Sequence, residues 1–156
     1  MTYTLIDSVT LTSSASSVTF SSIPAGGDLV LVVSCRPTGT AADDLVMQFN
    51  GDASNGSRVL MLGDGSATSS GTSSNMIAQF NDELQNEVGI SNIMDYSATD
   101  KHKTVLTRTN AVGAGYVTAL AQRWASNSAI TSINLAYSVD IQAGSTFHLY
   151  NIAKAL

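Results

Sequence analysis

The chain has 156 residues, a net charge of -5, a pI of about 4.6, and only 12% Asp, Glu, Lys and Arg, about half the charged share of an ordinary soluble domain. Its 44% hydrophobic content excludes a disordered chain. The acidic balance argues against DNA or RNA as the main partner, since the basic residues are scattered and Lys101 with Lys103 is the nearest approach to a patch.

The N-terminal MTYTLIDSV has neither a basic n-region nor an apolar h-region, so no signal peptide is expected. Every apolar run is far shorter than the roughly twenty residues that span a bilayer, and no membrane partner is expected. The first strand is expected over Tyr3 to Leu11, where Val9 and Leu11 alternate with Ser8, Thr10 and Thr12. Val18 and Phe20 then alternate with Ser17, Thr19 and Ser21, and Ile23 to Asp28 (IPAGGD) reads as a turn. Leu29 to Val33 is apolar on both faces, as a central strand would be, and Arg36-Pro37 with Gly39 ends it. Cys35, the only cysteine, closes that run; no intrachain disulfide is possible, and a small buried hydrophobe is the expected role.

Leu45, Met47 and Phe49 share one face of the next strand, and NGDASNG (Asn50 to Gly56) is a turn cluster before an apolar strand over Val59 to Leu62. Gly63 to Asn75 (GDGSATSSGTSSN) lacks an apolar anchor and is expected to be a mobile exposed loop. Met76, Ile77, Phe80, Leu84 and Val88 recur at near-helical spacing, with Ser74 or Asn75 as a cap and Gly89 as a stop, so a short helix competes with a strand. Further strands are expected over Val88 to Tyr96, Lys103 to Thr109, Tyr116 to Trp124, Ile130 to Tyr137 and Thr146 to Ile152. About ten strands between turn signals, without internal repeats, point to one all-β domain over residues 1–156, a jelly-roll-like antiparallel β-sandwich with at most one short helix.

Candidate chemistry is sparse. His102 lies in a polar turn and His148 in the last strand, neither spaced as a metal pair. Asp43, Asp44, Asp52, Asp64, Asp82, Glu83, Asp95 and Asp100 do not follow a calcium-loop spacing, and Asp52 and Asp64 adjoin glycines as turn residues do. No GxSxG, GxxxxGK or GxGxxG occurs. Tyr96, Tyr116, Trp124, Tyr137 and Tyr150 sit on expected strands, as core or intersubunit anchors. No catalytic, cofactor-binding or metal residues are assigned, and no enzyme activity or cofactor is expected.

Four stretches resemble a group of tailed-phage virion proteins: SSVTFSSIPAGGDLVLVVSCR (Ser16 to Arg36), FNGD (Phe49 to Asp52), IMDYSATDKHKTVLTR (Ile93 to Arg108), and RWASNSAITSINL (Arg123 to Leu135) with AGSTFHLYNI (Ala143 to Ile152). The resemblance implies a jelly-roll module that decorates capsids, often as a homotrimer, or forms the head of a tail fibre. A single module favours the former: a cement protein bound to the major capsid protein on the outer surface of the virion, made in the host cytoplasm. Its charge-poor surface fits burial against neighbours. The alternative is a tail-fibre head that binds a host surface receptor through Gly63 to Asn75. A glycan-degrading enzyme is the third reading.

Overall fold

A computed structural model describes residues 2–39, 43–80, 87–111 and 115–153. Twelve strands are present: β1 (Tyr3–Thr10), β2 (Val18–Phe20), β3 (Asp28–Cys35), β4 (Leu45–Phe49), β5 (Gly56–Gly63), β6 (Thr68–Ser73), β7 (Ile77–Gln79), β8 (Glu87–Met94), β9 (Lys103–Ala111), β10 (Tyr116–Trp124), β11 (Ile133–Ala136) and β12 (Thr146–Ile152). They form an eight-stranded sheet in the order β1-β12-β3-β8-β9-β10-β5-β6 and a four-stranded sheet in the order β2-β11-β4-β7. All neighbours are antiparallel.

The pairing is nested. β1 pairs with β12, β2 with β11, β3 with β8 and β4 with β7. A long antiparallel ribbon rolled so that β12 meets β3 and β11 meets β4 produces this order, which is a jelly roll. Two hairpins are inserted into it, β5–β6 between β4 and β7 and β9–β10 between β8 and β11. Both join the sheet beyond β8 and double its width.

Between the sheets, alternate residues interdigitate. Leu29, Leu31, Val33, Phe147, Leu149 and Ile93 of the larger sheet meet Phe20, Leu45, Met47, Phe49, Ile133 and Leu135 of the smaller one, all buried. Each such side chain contributes about 1.5–3 kcal/mol by leaving water. β3 is central, as its two apolar faces indicate: it lies between β12 and β8.

Three expectations change. Gly63 to Asn75 is not a loop but a turn and an edge strand. The Asp64 carboxylate accepts the Ser66 and Ala67 N–H groups at 2.8 and 2.6 Å, Gly65 takes φ +87°, and Thr68–Ser73 then pairs with β5. The stretch with helical spacing holds a strand instead: β7 is buried along its length, and no helix occurs among the described residues. Leu84 lies outside them. Helical spacing fails as a guide here because Met76, Ile77, Ala78 and Gln79 are covered on every side. Gly89 explains the cover: β7 lies so close across β8 that a Cβ there would overlap the Ala78 carbonyl. Lys103, finally, is fully buried rather than half of a basic patch.

The quoted stretches owe their character to one end of the sandwich. Asn50 and Gly51 both take positive φ, 53° and 72°, in a two-residue type I′ turn closed by Asp52 N–H to the Phe49 carbonyl. The Asn50 side chain holds the Ala129 carbonyl and the N–H groups of Thr131 and Ser132. Phe49 meets Trp124 edge to face at 5.6 Å, and the Trp124 indole donates to Asp52 at 2.8 Å. In the third stretch, Tyr96 and Ser97 donate to the Pro24 and Gly26 carbonyls of the IPAGGD turn. Lys103 Nζ donates to the Lys101 carbonyl at 2.9 Å and sits 5.9 Å from the Trp124 ring. Burial lowers its pKa. These motifs latch turns together.

Candidate functional site

The residues with ionisable chemistry are dispersed by the fold. Asp52 and Asp64 cap turns, Asp43 accepts Ser138 N–H and Oγ, Asp44 pairs with Arg58 at 2.9 Å, and Asp95 pairs with Lys101 at 3.6 Å. Asp82 and Glu83 lie outside the described residues. Among the described residues no group of three or more His, Cys, Asp and Glu could hold a metal. His102 is exposed in the turn before β9 and His148 is half-buried on β12. Cys35 is buried; desolvation raises its pKa to about 12 against the lowering effect of the Tyr137 hydroxyl at 3.2 Å. Such a thiol is no nucleophile.

The feature that stands out is the outer face of the eight-stranded sheet, turned away from the smaller sheet. The register defines a row straight across it: Leu5, Tyr150, Val30, Asn92, Leu106, Ala121, Val59 and Thr72. A neighbouring row runs Ser8, His148, Val32, Ile90, Arg108, Ala119, Met61 and Ser70. Among the described residues nine large hydrophobics are exposed, and eight of them lie on this face; Val117 is 68% exposed, Tyr3 58% and Met61 55%. Val139 is the exception.

β8 and the inserted β9–β10 hairpin mix polar and apolar residues on both faces. Where β8, β9 and β10 face inward, they carry Ser91, Thr107, Thr109, Thr118 and Gln122, all buried. Ser91 and Thr107 hydroxyls meet at 2.8 Å, and Gln122 Nε2 donates to Thr107 at 2.8 Å. The same strands face outward with Val88, Ile90, Met94, Leu106 and Val117. Beside Ile93, Val105, Leu120 and Trp124, which are buried inward as expected, these hydroxyls inside and apolar side chains outside depart from a one-sided antiparallel sheet.

The face has relief and a sign of charge. Ala119 and Ala121 on β10 leave a groove of about 390 Å³ between Leu106 and Arg108 on one side and Met61 on the other. Arg108 and Arg123 project from it, and among the described residues neither is in an ion pair. Eight strands at about 4.8 Å spacing and about 25 Å of strand length give roughly 850 Å², about the area that each partner buries in a standard protein–protein interface. Exposed apolar side chains gathered on one such face, among polar ones, are what a docking surface presents.

Of the aromatic candidates, Trp124, Tyr96 and Tyr137 are buried, the latter two just beyond β8 and β11 rather than on strands. Tyr150 belongs to the outer face, where its ring meets Tyr3 at 6.3 Å and His148 at 6.4 Å. Composition alone did not single out Leu106, Met61, Val117 or Arg108; their signal was apolar residues on both parities of β8 to β10.

Comparison of the chain with protein-family models, with curated proteins and with solved structures found no match.

Proposed function

We propose that the chain is a non-enzymatic capsid decoration protein of a tailed phage, seated on the outer surface of the shell by the outer face of its eight-stranded sheet. The observation that carries this reading is that face: about 850 Å² by strand geometry, rich in exposed apolar side chains and bearing Arg108 and Arg123, which are in no ion pair among the described residues. The virion assignment rests on the four stretches quoted above, and the homotrimeric state on the same resemblance.

Such a protein acts by binding alone. Each copy bound to the assembled shell, and not to its separated subunits, lowers the free energy of the assembled state. Repetition around a threefold axis multiplies the contacts. The two arginines favour a capsid surface with carboxylates opposite them, and the apolar rows favour one with matching apolar relief. Particles made without the protein should lose integrity at a lower temperature and regain it when purified protein is added back. Unchanged shell stability, with the protein found only on tails, would remove the reading.

A second reading, a tail-fibre head that binds a host receptor, is favoured by a hollow of about 590 Å³ at the β5, β6 and β10 ends. Leu62, Thr68, Ser69, Val117 and Thr118 line it, and its hydroxyls could bond a sugar. Loss of phage adsorption with Ser69→Ala and Thr68→Ala would support that reading, and full adsorption would not.

A further inference from the structure

The two sheets have four edges, and three are closed in distinct ways. β2 is only three residues long. β7 has its Ile77 N–H and carbonyl taken by the Gln122 side chain, at 2.7 and 2.8 Å. β1 is interrupted by a bulge between Leu5 and Asp7, and the exposed Asp7 places a charge there. These are devices by which sheets avoid growing into one another. β6 has none of them. Its six residues, Thr68–Ser73, pair with β5 in unbroken register, contain neither charge nor proline, and are exposed at every position but the last.

We infer that β6 is a self-pairing edge that binds β6 of a second copy of this chain, antiparallel, about a twofold axis through Ser70. The sheet geometry restricts the register, and Ser70 is the most central choice that pairs threonine with threonine. A twofold axis perpendicular to the sheet keeps outer face beside outer face, so residues of equal parity must pair. Centring on Ser70 sets Ser70 opposite Ser70 and Thr68 opposite Thr72, a hydroxyl ladder of the kind that stabilises antiparallel strands. β6 itself carries no charged residue, so no like charges face each other across the paired strands. The partner is a second copy because the edge is complementary to itself. A twofold contact here can coexist with a threefold contact elsewhere and would then tie trimers to one another.

Cysteine scanning of the full chain tests this directly, because the one native cysteine, Cys35, is buried. Residues directly opposite in an antiparallel pair lie within disulfide reach. Ser70→Cys should yield a covalent pair on a non-reducing denaturing gel under mild oxidation, while Ser66→Cys in the turn should not. Sedimentation supplies the second arm. Thr68→Lys with Thr72→Lys sets like charges face to face and should halve the mass of the assembly; Thr68→Lys with Thr72→Glu sets opposite charges face to face and should restore it. The contact runs along the β6 edge, away from Leu106 at the centre of the sheet, so Leu106→Asp should leave the Ser70→Cys pair intact even where it abolishes shell binding. A wild-type chain that sediments singly at every concentration would overturn the proposal. So would an assembly that ignores the lysines while Ser70→Cys stays unlinked, since β6 would then be open to some other protein.

Discussion

Gln122 and Ile77 join the two sheets through a side chain that mimics a strand. The Gln122 amide oxygen accepts the Ile77 N–H at 2.7 Å, and its nitrogen donates to the Ile77 carbonyl at 2.8 Å. Gln122 sits on the inner face of β10 and Ile77 on β7, 45 positions away in sequence. An amide is the one uncharged side chain that offers both a donor and an acceptor in that geometry.

Gln122→Leu should therefore destabilise the fold by about 2–4 kcal/mol, because it strands a buried N–H and a buried carbonyl and leaves the Thr107 hydroxyl only its bond to Ser91. Gln122→Glu should cost at least as much, since a carboxylate supplies no donor to the Ile77 carbonyl. Urea unfolding reads both. A loss below about 0.5 kcal/mol would mean that the junction is held by packing alone.

Gly89 makes a related demand. A Cβ there would overlap the Ala78 carbonyl and come within 3.0 Å of Val33 Cγ2. Gly89→Ala should cost about 1–3 kcal/mol as the sheets are forced apart, whereas Gly71→Ala, with open space around it, should be nearly neutral. Equal melting temperatures for the two variants would contradict the close approach of β7 to β8.

Asp52 predicts a pH dependence. Hydrogen bonds from the Asn55 side chain, the Ser54 N–H and the Trp124 indole hold its pKa at about 2, below the usual carboxylate range. A carboxyl with a lowered folded pKa stabilises the fold above its unfolded pKa, and that contribution is lost as pH falls through about 4 towards 2. Asp52→Asn should flatten the acid limb of the stability curve in that window and shift Trp124 fluorescence. An unchanged acid limb would show that the bonds do not persist in solution.

Cys35 should ignore thiol reagents. With its pKa raised to about 12 by burial, the native thiol is overwhelmingly protonated at pH 8. Labelling should proceed only at the rate of unfolding. Rapid stoichiometric labelling of the folded chain would show that the centre of the sandwich is open.

These tests divide between what the residue pattern discloses and what it hides. Alternation of Leu45, Met47 and Phe49, the doubly apolar run of β3 and the Asn50-Gly51 turn carry period-two signals strong enough to read an antiparallel sandwich directly. β6 was hidden because a strand of Ser, Thr and Gly has no apolar alternation; backbone pairing to β5 alone makes it a strand. β7 was obscured for the opposite reason, being buried on all sides. The outer face was hidden by mixed strands: with Thr107 and Gln122 inward beside Val105 and Leu120, and Leu106 and Val117 outward, parity alone does not tell the core side from the solvent side.

Outer-face substitutions separate folding from docking. Leu106→Asp and Val117→Asp should change stability by no more than about 0.5 kcal/mol, as exposed positions do, and yet remove binding to particles. Variants that unfold would show that the face is part of the chain's own core.

The most direct measurement is electron cryomicroscopy of purified particles, with the chain fitted into density. The outer face of the eight-stranded sheet should lie against the shell, with Leu106 and Arg108 in the contact. Density for the chain only at the tail, or with that face open to solvent, would contradict this account.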